Sequence, residues 1–355
     1  MQRGYFEVLD ATRGIAAIGV LVFHLGCWLD HRWLAANSGL AVDFFFCLSG
    51  FVVAKAYGSK LDGGLTVKQF MAKRLRRLAP TMAIASAIAA AYVLVRIVAF
   101  DLEVPLESWW VAFVFGTLNI PHFGASETLG GPQVFPLNGP QYSLFLEVVV
   151  NLLWACDRRF RGSAGALAIA VAGYSATAVC GLGGAEVHNF WTGFPRVIGT
   201  FYLGVGLYDL YRKRDDTPAT YHVAAFYGLA LISLAIMLAP VTAPHWISWL
   251  WTATFSPLLV WTGAFTPVQG RGRQVALWLG RISFPLYALH YPTFQWVNGL
   301  YQAVVGRRDS LPIMLLTFGA AITVSLTIEE LTRSGLQAWL RPLRLSRATQ
   351  NVRQS

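Results

Sequence analysis

Two ionisable residues stand inside the first apolar stretch of this chain, Arg13 and His24. On a helix turning about 100° per residue, their spacing returns both to within about 20° of one face, roughly 16 Å apart along the axis. Such groups are costly at membrane depth, so that face is expected to line a bundle interior or a wet cavity. Two carboxylates are expected at the level of His24: Asp43 in the second apolar stretch and Glu147 in the fourth, each about 8–9 Å below the outer edge. An imidazole with a carboxylate neighbour suits a general base held in one tautomer, which makes His24, Asp43 and Glu147 the candidate catalytic group. The same three side chains also suit helix-to-helix hydrogen bonds that only hold a bundle together.

At the opposite level Arg13 is joined by Arg74 and Arg77, three apart in the stretch Thr66 to Arg77. Arginine recognises phosphate in a two-pronged fashion, and basic groups at a cavity mouth concentrate anions. Anchoring to anionic lipid headgroups accounts for Arg74 and Arg77 as well, and Asp10 could neutralise Arg13. The other polar groups within apolar stretches are Ser49, Ser143, Arg196, Ser283, His290 and the pair Glu329-Glu330. Ser143 shares a helix face with Glu147. His290, followed by Tyr291-Pro292, reads as a satisfied core histidine or as a substrate contact. The remaining histidines fall in loops or at helix ends, and no spacing among them suggests a metal site.

The elements that must position these groups are set by composition. The chain is 55% apolar and 13% charged, with many separate hydrophobic runs, the signature of a polytopic membrane protein. The expected fold is all-α, a membrane helix bundle of about ten transmembrane helices. The crossings fall near 12–30, 38–56, 78–98, 141–156, 163–182, 196–211, 221–239, 247–265, 277–299 and 312–332. Residues 108–120 are expected to form a short re-entrant or interfacial piece, and 66–77 an amphipathic helix on the cytoplasmic side. Residues 1–335 then make one membrane-embedded domain and 336–355 a basic cytoplasmic tail. The net charge of +10 comes from short basic clusters between apolar runs, the positive-inside pattern, which speaks against nucleic acid as a partner. No Lys or Arg occurs from residue 97 to 157, whereas Asp101, Glu103, Glu107 and Glu127 do. The expected setting is a bacterial inner membrane with both termini in the cytoplasm, membrane lipid as a partner, and a homo-oligomer compatible with the pattern. The cysteines, 27, 47, 156 and 180, read as buried free thiols. No internal repeat supports a transporter built from inverted halves.

The run Leu9-Asp-Ala-Thr-Arg13-Gly-Ile-Ala-Ala with His24 resembles the acyltransferase family 3 membrane O-acyltransferases. So do Gly39-Leu-Ala-Val-Asp43-Phe-Phe-Phe-Cys-Leu-Ser49-Gly-Phe51 and Arg74-Leu-Arg-Arg77-Leu-Ala-Pro80. Tyr142-Ser143-Leu144-Phe-Leu-Glu147 and Leu279-Gly-Arg-Ile-Ser283-Phe-Pro-Leu-Tyr287-Ala-Leu-His290-Tyr-Pro292 complete the match in order. Tyr142 stands where that family usually has Trp, and the Glu329-Glu330-Leu331 ending lacks a following proline.

The resemblance implies transfer of an acetyl or other short acyl group from cytoplasmic acyl-CoA, commonly acetyl-CoA, to a hydroxyl of a cell-envelope or exported carbohydrate such as an exopolysaccharide. It implies that Arg13 and His24 match the family's Arg-x10-His pair, and Arg74 and Arg77 its Arg-x-x-Arg pair. Arg13, Arg74 and Arg77 would hold the donor, while Tyr142, Ser143 and His290 are expected on the acceptor side. With no appended hydrolase-like domain in the sequence, transfer is expected to finish inside the bundle. Two other readings use the same polar interior: a flippase or transporter for lipid-linked sugars without acyl chemistry, and an O-acyltransferase acting on a small glycosylated metabolite.

Overall fold

The computed structural model describes residues 6–214 and 220–352, with side chains as far as Ser334. Among these residues the secondary structure is helical apart from one isolated antiparallel bridge, Gln133 to Glu186. The helices are α1 (Glu7–Trp28), α2 (Ala41–Asp62), α3 (Val67–Ala99), α4 (Leu106–Thr117), α5 (Gln141–Cys156) and α6 (Ser163–Cys180). They continue as α7 (Gly193–Arg212), α8 (Thr220–Leu238), α9 (His245–Leu250), α10 (Ser256–Ala264), α11 (Gly270–Val305) and α12 (Ser310–Val352).

Six of these segments are long and apolar enough to cross a membrane: Glu7–Trp28, Ser38–Asp62, Val67–Ala99, Ser163–Cys180, Thr220–Leu238 and Ser310–Ser334. The expectation of ten is therefore not met on length and hydropathy, and the shortfall has local causes. α5 has 16 residues, about 24 Å of helix against a hydrocarbon layer of about 30 Å. α7 carries Arg196 and Asp209. The stretch expected at 247–265 is interrupted by a π-helical turn over Trp251–Phe255 between α9 and α10. In α11 two prolines, His290, Gln295 and Asn298 dilute the apolar content. α4, at 12 residues, is only about 18 Å long. It lies along α3, with the Trp109 indole donating to the Ala90 carbonyl at 2.9 Å.

The amphipathic stretch at 66–77 is not a separate helix. Thr66 and Gln69 form a reciprocal capping box (3.2 and 3.1 Å), and from there α3 runs unbroken through Pro80 for 33 residues. Charged and membrane-like portions are thus one rod of about 50 Å, and Arg74 and Arg77 are fixed rigidly to it. The cysteines are free, as expected, but only Cys47 is buried; Cys156 and Cys180 are exposed. α12 is helical to Val352, so the polar tail continues that helix, and residues 353–355 lie outside the described residues.

Two close crossings bring the interior together. A β-carbon added to Gly14 would sit 2.5 Å from Leu279 Cβ and 2.7 Å from the Leu279 carbonyl oxygen, and one on Gly280 would sit 2.7 Å from Asp10 Cβ. Glycine at both contacts lets α1 and α11 touch backbone to backbone. α2 and α7 cross in the same way, Gly50 against the Phe201 carbonyl and Gly204 against that of Cys47. A main apolar cluster joins α2, α5, α7 and α10, and a second, with Leu21, Leu25, Leu286, Phe294 and Ile313, joins α1, α11 and α12.

Candidate active site

The crossing of α1 on α11 delivers Arg13 to a fixed place. Its Nε donates to Ser283 Oγ and a terminal nitrogen to the Gly280 carbonyl, both at 2.8 Å, and Asp10 pairs with it at 3.0 Å. Arg13 then borders two cavities. The inner one holds about 780 Å³ of empty space, open mouth included, and its polar lining comes from Arg13, Ser49, Arg74, Arg77, Ser143, Glu147, Ser283 and Tyr287. Five helices contribute to that lining: α1, α2, α3, α5 and α11.

Within the inner cavity Glu147 is the hub. One carboxylate oxygen accepts from Arg74 at 2.7 Å and from the Ser49 hydroxyl at 2.6 Å. Arg74 is buried, with its side chain 9% exposed against 17% for Glu147, so the pair is a desolvated one whose partners depend on each other. One turn away on α5, Ser143 Oγ lies 2.6 Å from the Tyr287 hydroxyl. Ser143 also faces the Pro140 carbonyl at 3.0 Å.

The second cavity, about 1240 Å³, adjoins the first through Arg13, Arg77 and Phe284. Its rim carries Arg76, Arg77, Arg281 and Arg333 against the acids Asp10 and Glu329. An excess of guanidinium groups around an open recess is a field that draws in anions. The two expected phosphate ligands therefore part company. Arg77 is exposed and borders both cavities, while Arg74 is turned inward onto Glu147.

His24 lies outside both linings. Its ring is partly buried and makes no hydrogen bond among the described residues; it stacks on Trp28 (centroids 5.1 Å, 18°) and meets His290 (5.1 Å, 30°). The link to the inner cavity runs through α11, where the Tyr287 and His290 rings are 5.9 Å apart. Neither expected carboxylate reaches His24. Glu147 is held by Arg74 and Ser49, and Asp43 is fully buried in a two-pronged pair with Arg196 (2.7 and 2.6 Å). Tyr142 lies beside that pair. His290 is buried, and its Nδ1 faces the carbonyls of Tyr287 (2.8 Å) and Leu286 (3.2 Å).

Arg196 as the partner of Asp43 and Tyr287 as the partner of Ser143 were not assigned from the sequence. The signal for the first was present: a buried arginine in an apolar stretch requires an acid at its own depth, and Asp43 lies in such a stretch. Tyr287 carried no comparable signal, because a tyrosine on an apolar helix is ordinary.

The six membrane-length helices define an integral membrane protein, and its polar, arginine-lined cavity lies among α1, α2, α3, α5 and α11. The chain matches the acyltransferase domain family over residues 6–330 and belongs to that family. It is 37% identical over 157 residues to "Protein 2 in picA locus" of Rhizobium radiobacter, covering 42% of this chain and 81% of that protein. It is 28% identical over 167 residues to the peptidoglycan O-acetyltransferase OatA of Listeria monocytogenes, covering 43% of this chain. That match spans 24% of OatA's own length. No solved structure matches the chain.

Proposed function

We propose that this protein is a membrane O-acyltransferase that moves an acetyl or other short acyl group from acyl-CoA to a hydroxyl of a cell-envelope or exported carbohydrate. The observation that carries the reading is the pair of adjoining cavities, a basic outer recess and a polar inner chamber sharing Arg13 and Arg77. A nucleotide donor has that shape: phosphates at one end, a narrow uncharged arm and a reactive thioester at the other. Family membership supports acyl transfer, and the name of the OatA relative supports a carbohydrate acceptor. The recess faces the cytoplasm in this reading, in the inner membrane with both termini on that side, as the clustering of basic residues suggests.

Arg77 and its neighbours on the rim hold the donor phosphates, and Arg13 lies where the arm passes inward. The thioester passes the end of the chamber marked by Ser143 and Tyr287 and reaches the His290–His24 pair. His24 takes the proton of the acceptor hydroxyl as its oxygen attacks the thioester carbonyl. The carbon–oxygen bond forms, the carbon–sulfur bond breaks, and the imidazolium returns its proton to the departing CoA thiolate. His24→Ala protein that folds is expected to lose transfer by roughly 100-fold or more, read as CoA released from acetyl-CoA in membranes that supply the native acceptor. Unchanged release would remove His24 from the chemistry. Wild-type protein that releases no CoA but moves lipid-linked sugar would make it a flippase.

A further inference from the structure

The reading above leaves His24 without a partner to orient it, since both carboxylates are engaged elsewhere. A base that is free to spin presents either nitrogen, in either tautomer, to its substrate. His290 supplies what is missing. Its Nδ1 contacts two carbonyl oxygens, which only accept, so in the neutral ring Nδ1 carries the proton and Nε2 carries the lone pair. Nε2 is buried and has no hydrogen-bond partner, and the residue is 1% exposed. The helix is pinned at this turn as well. Pro292 has no N–H to give the Ala288 carbonyl, and Asn138 Nδ2 donates to that oxygen instead, at 3.0 Å.

Three rings surround the orphaned nitrogen's imidazole. The Tyr287 hydroxyl is occupied with Ser143 (2.6 Å). Trp28 is wedged among His24, His290 and Phe294, nearly parallel to all three (18°, 20° and 27°). Neither the Trp28 indole nor His24 makes a hydrogen bond among the described residues, but Trp28 is stacked nearly parallel on His290, whereas His24 is tilted 30° to it with its centroid 5.1 Å away. That is close to the separation of two imidazoles joined edge to edge by one N–H···N bond of about 3 Å.

We propose that His290 is the positioning residue of His24: its Nε2 accepts the His24 N–H once the His24 ring turns toward it, which fixes the His24 tautomer and leaves the other His24 nitrogen as the base. When His24 takes the hydroxyl proton, the same bond becomes charge-assisted and strengthens. No proton leaves His290. The inference rests on the acyl-transfer reading only for its kinetic consequence; the tautomer is a property of the resting protein.

The test compares wild-type protein with His290→Phe, which keeps a ring without an acceptor, and His290→Gln, which keeps an acceptor near the Nε2 position. Histidine labelled with ¹⁵N, with the His24 signals assigned through His24→Gln, reports the tautomer in detergent above the imidazole titration range. One fixed His24 tautomer is expected in wild type and His290→Gln, and an averaged one in His290→Phe. The kinetic expectation is a loss in kcat of roughly 10- to 100-fold for His290→Phe, with KM for acetyl-CoA and the unfolding temperature unchanged and with substantial recovery in His290→Gln. His290→Leu serves as the acceptor-free variant should His290→Phe fail to fold. A His24 tautomer indifferent to residue 290, or His290→Gln no better than His290→Phe, overturns the proposal. Wild-type protein that shows the fixed tautomer yet releases no CoA from acetyl-CoA sinks the acyl-transfer reading and leaves this one standing.

Discussion

At the scale of single residues the interior is organised by exchanged partners. Depth counted along helices places Asp43, Glu147 and His24 at one level, and level alone suggests that they meet. The structure pairs each acid with an arginine instead, Asp43 with Arg196 and Glu147 with Arg74. The physical reason is desolvation: a carboxylate buried beside an imidazole is poorly compensated, whereas a guanidinium fork supplies two charge-assisted bonds. Asp43→Ala is accordingly expected to cost about 3–5 kcal/mol by leaving Arg196 charged and unpaired. Asp43→Leu combined with Arg196→Met should recover most of that stability and retain transfer activity. Thermal unfolding in detergent reads the first quantity and CoA release the second. A double variant that is stable yet inactive would return Asp43 to the chemistry. The types of the polar residues were thus legible in the sequence. The pairings were not, because they depend on which helix faces which, and apolar helices facing one another carry little rotational signal.

At the scale of elements, one crossing does the positioning. α1 and α11 approach closely because Gly14 and Gly280 leave room, and that approach places Arg13 on Ser283 and the Gly280 carbonyl, and His24 on His290. Gly14→Leu inserts a side chain where even a β-carbon lies 2.5 Å from Leu279. Overpacking of this kind costs about 1–3 kcal/mol, and the expected consequence is weaker acetyl-CoA binding through a displaced Arg13. An unchanged KM in a destabilised variant would separate the crossing from the donor site. The fusion of the interfacial stretch with the following helix was missed for a related reason. Pro80 suggests a boundary in sequence, but Pro80 removes only one N–H from α3, and the Thr66–Gln69 cap sets the true start thirteen residues before it. Short α5, charged α7, broken α9–α10 and polar α11 are the four expected crossings that fall short on length or hydropathy.

At the scale of the whole molecule, positive charge is gathered at one recess. Arg76, Arg77, Arg281 and Arg333 come from α3, α11 and α12, distant in sequence and adjacent in the fold. With screening lengths of about 8 Å at physiological salt and about 3 Å at 1 M, KM for acetyl-CoA is expected to rise several-fold between those conditions while kcat holds. A donor lacking its 3′-phosphate should respond less. A flat salt profile would mean that this recess is not the donor's entrance. The helical membrane class was readable from composition, whereas the recess itself was not, because three helices must assemble before it exists. The hydrogen bond from Arg13 to Ser283 spans 270 positions of the chain. α1 therefore waits, with the Arg13–Asp10 pair on its inner face, until α11 is made. Until α11 docks, that guanidinium has Asp10 of its own helix but lacks its two oxygen acceptors on α11, and a nascent chain stalled before then presents cellular quality control with an incompletely satisfied ion pair. For this polypeptide, completing the polar interior is also what shields that pair from surveillance.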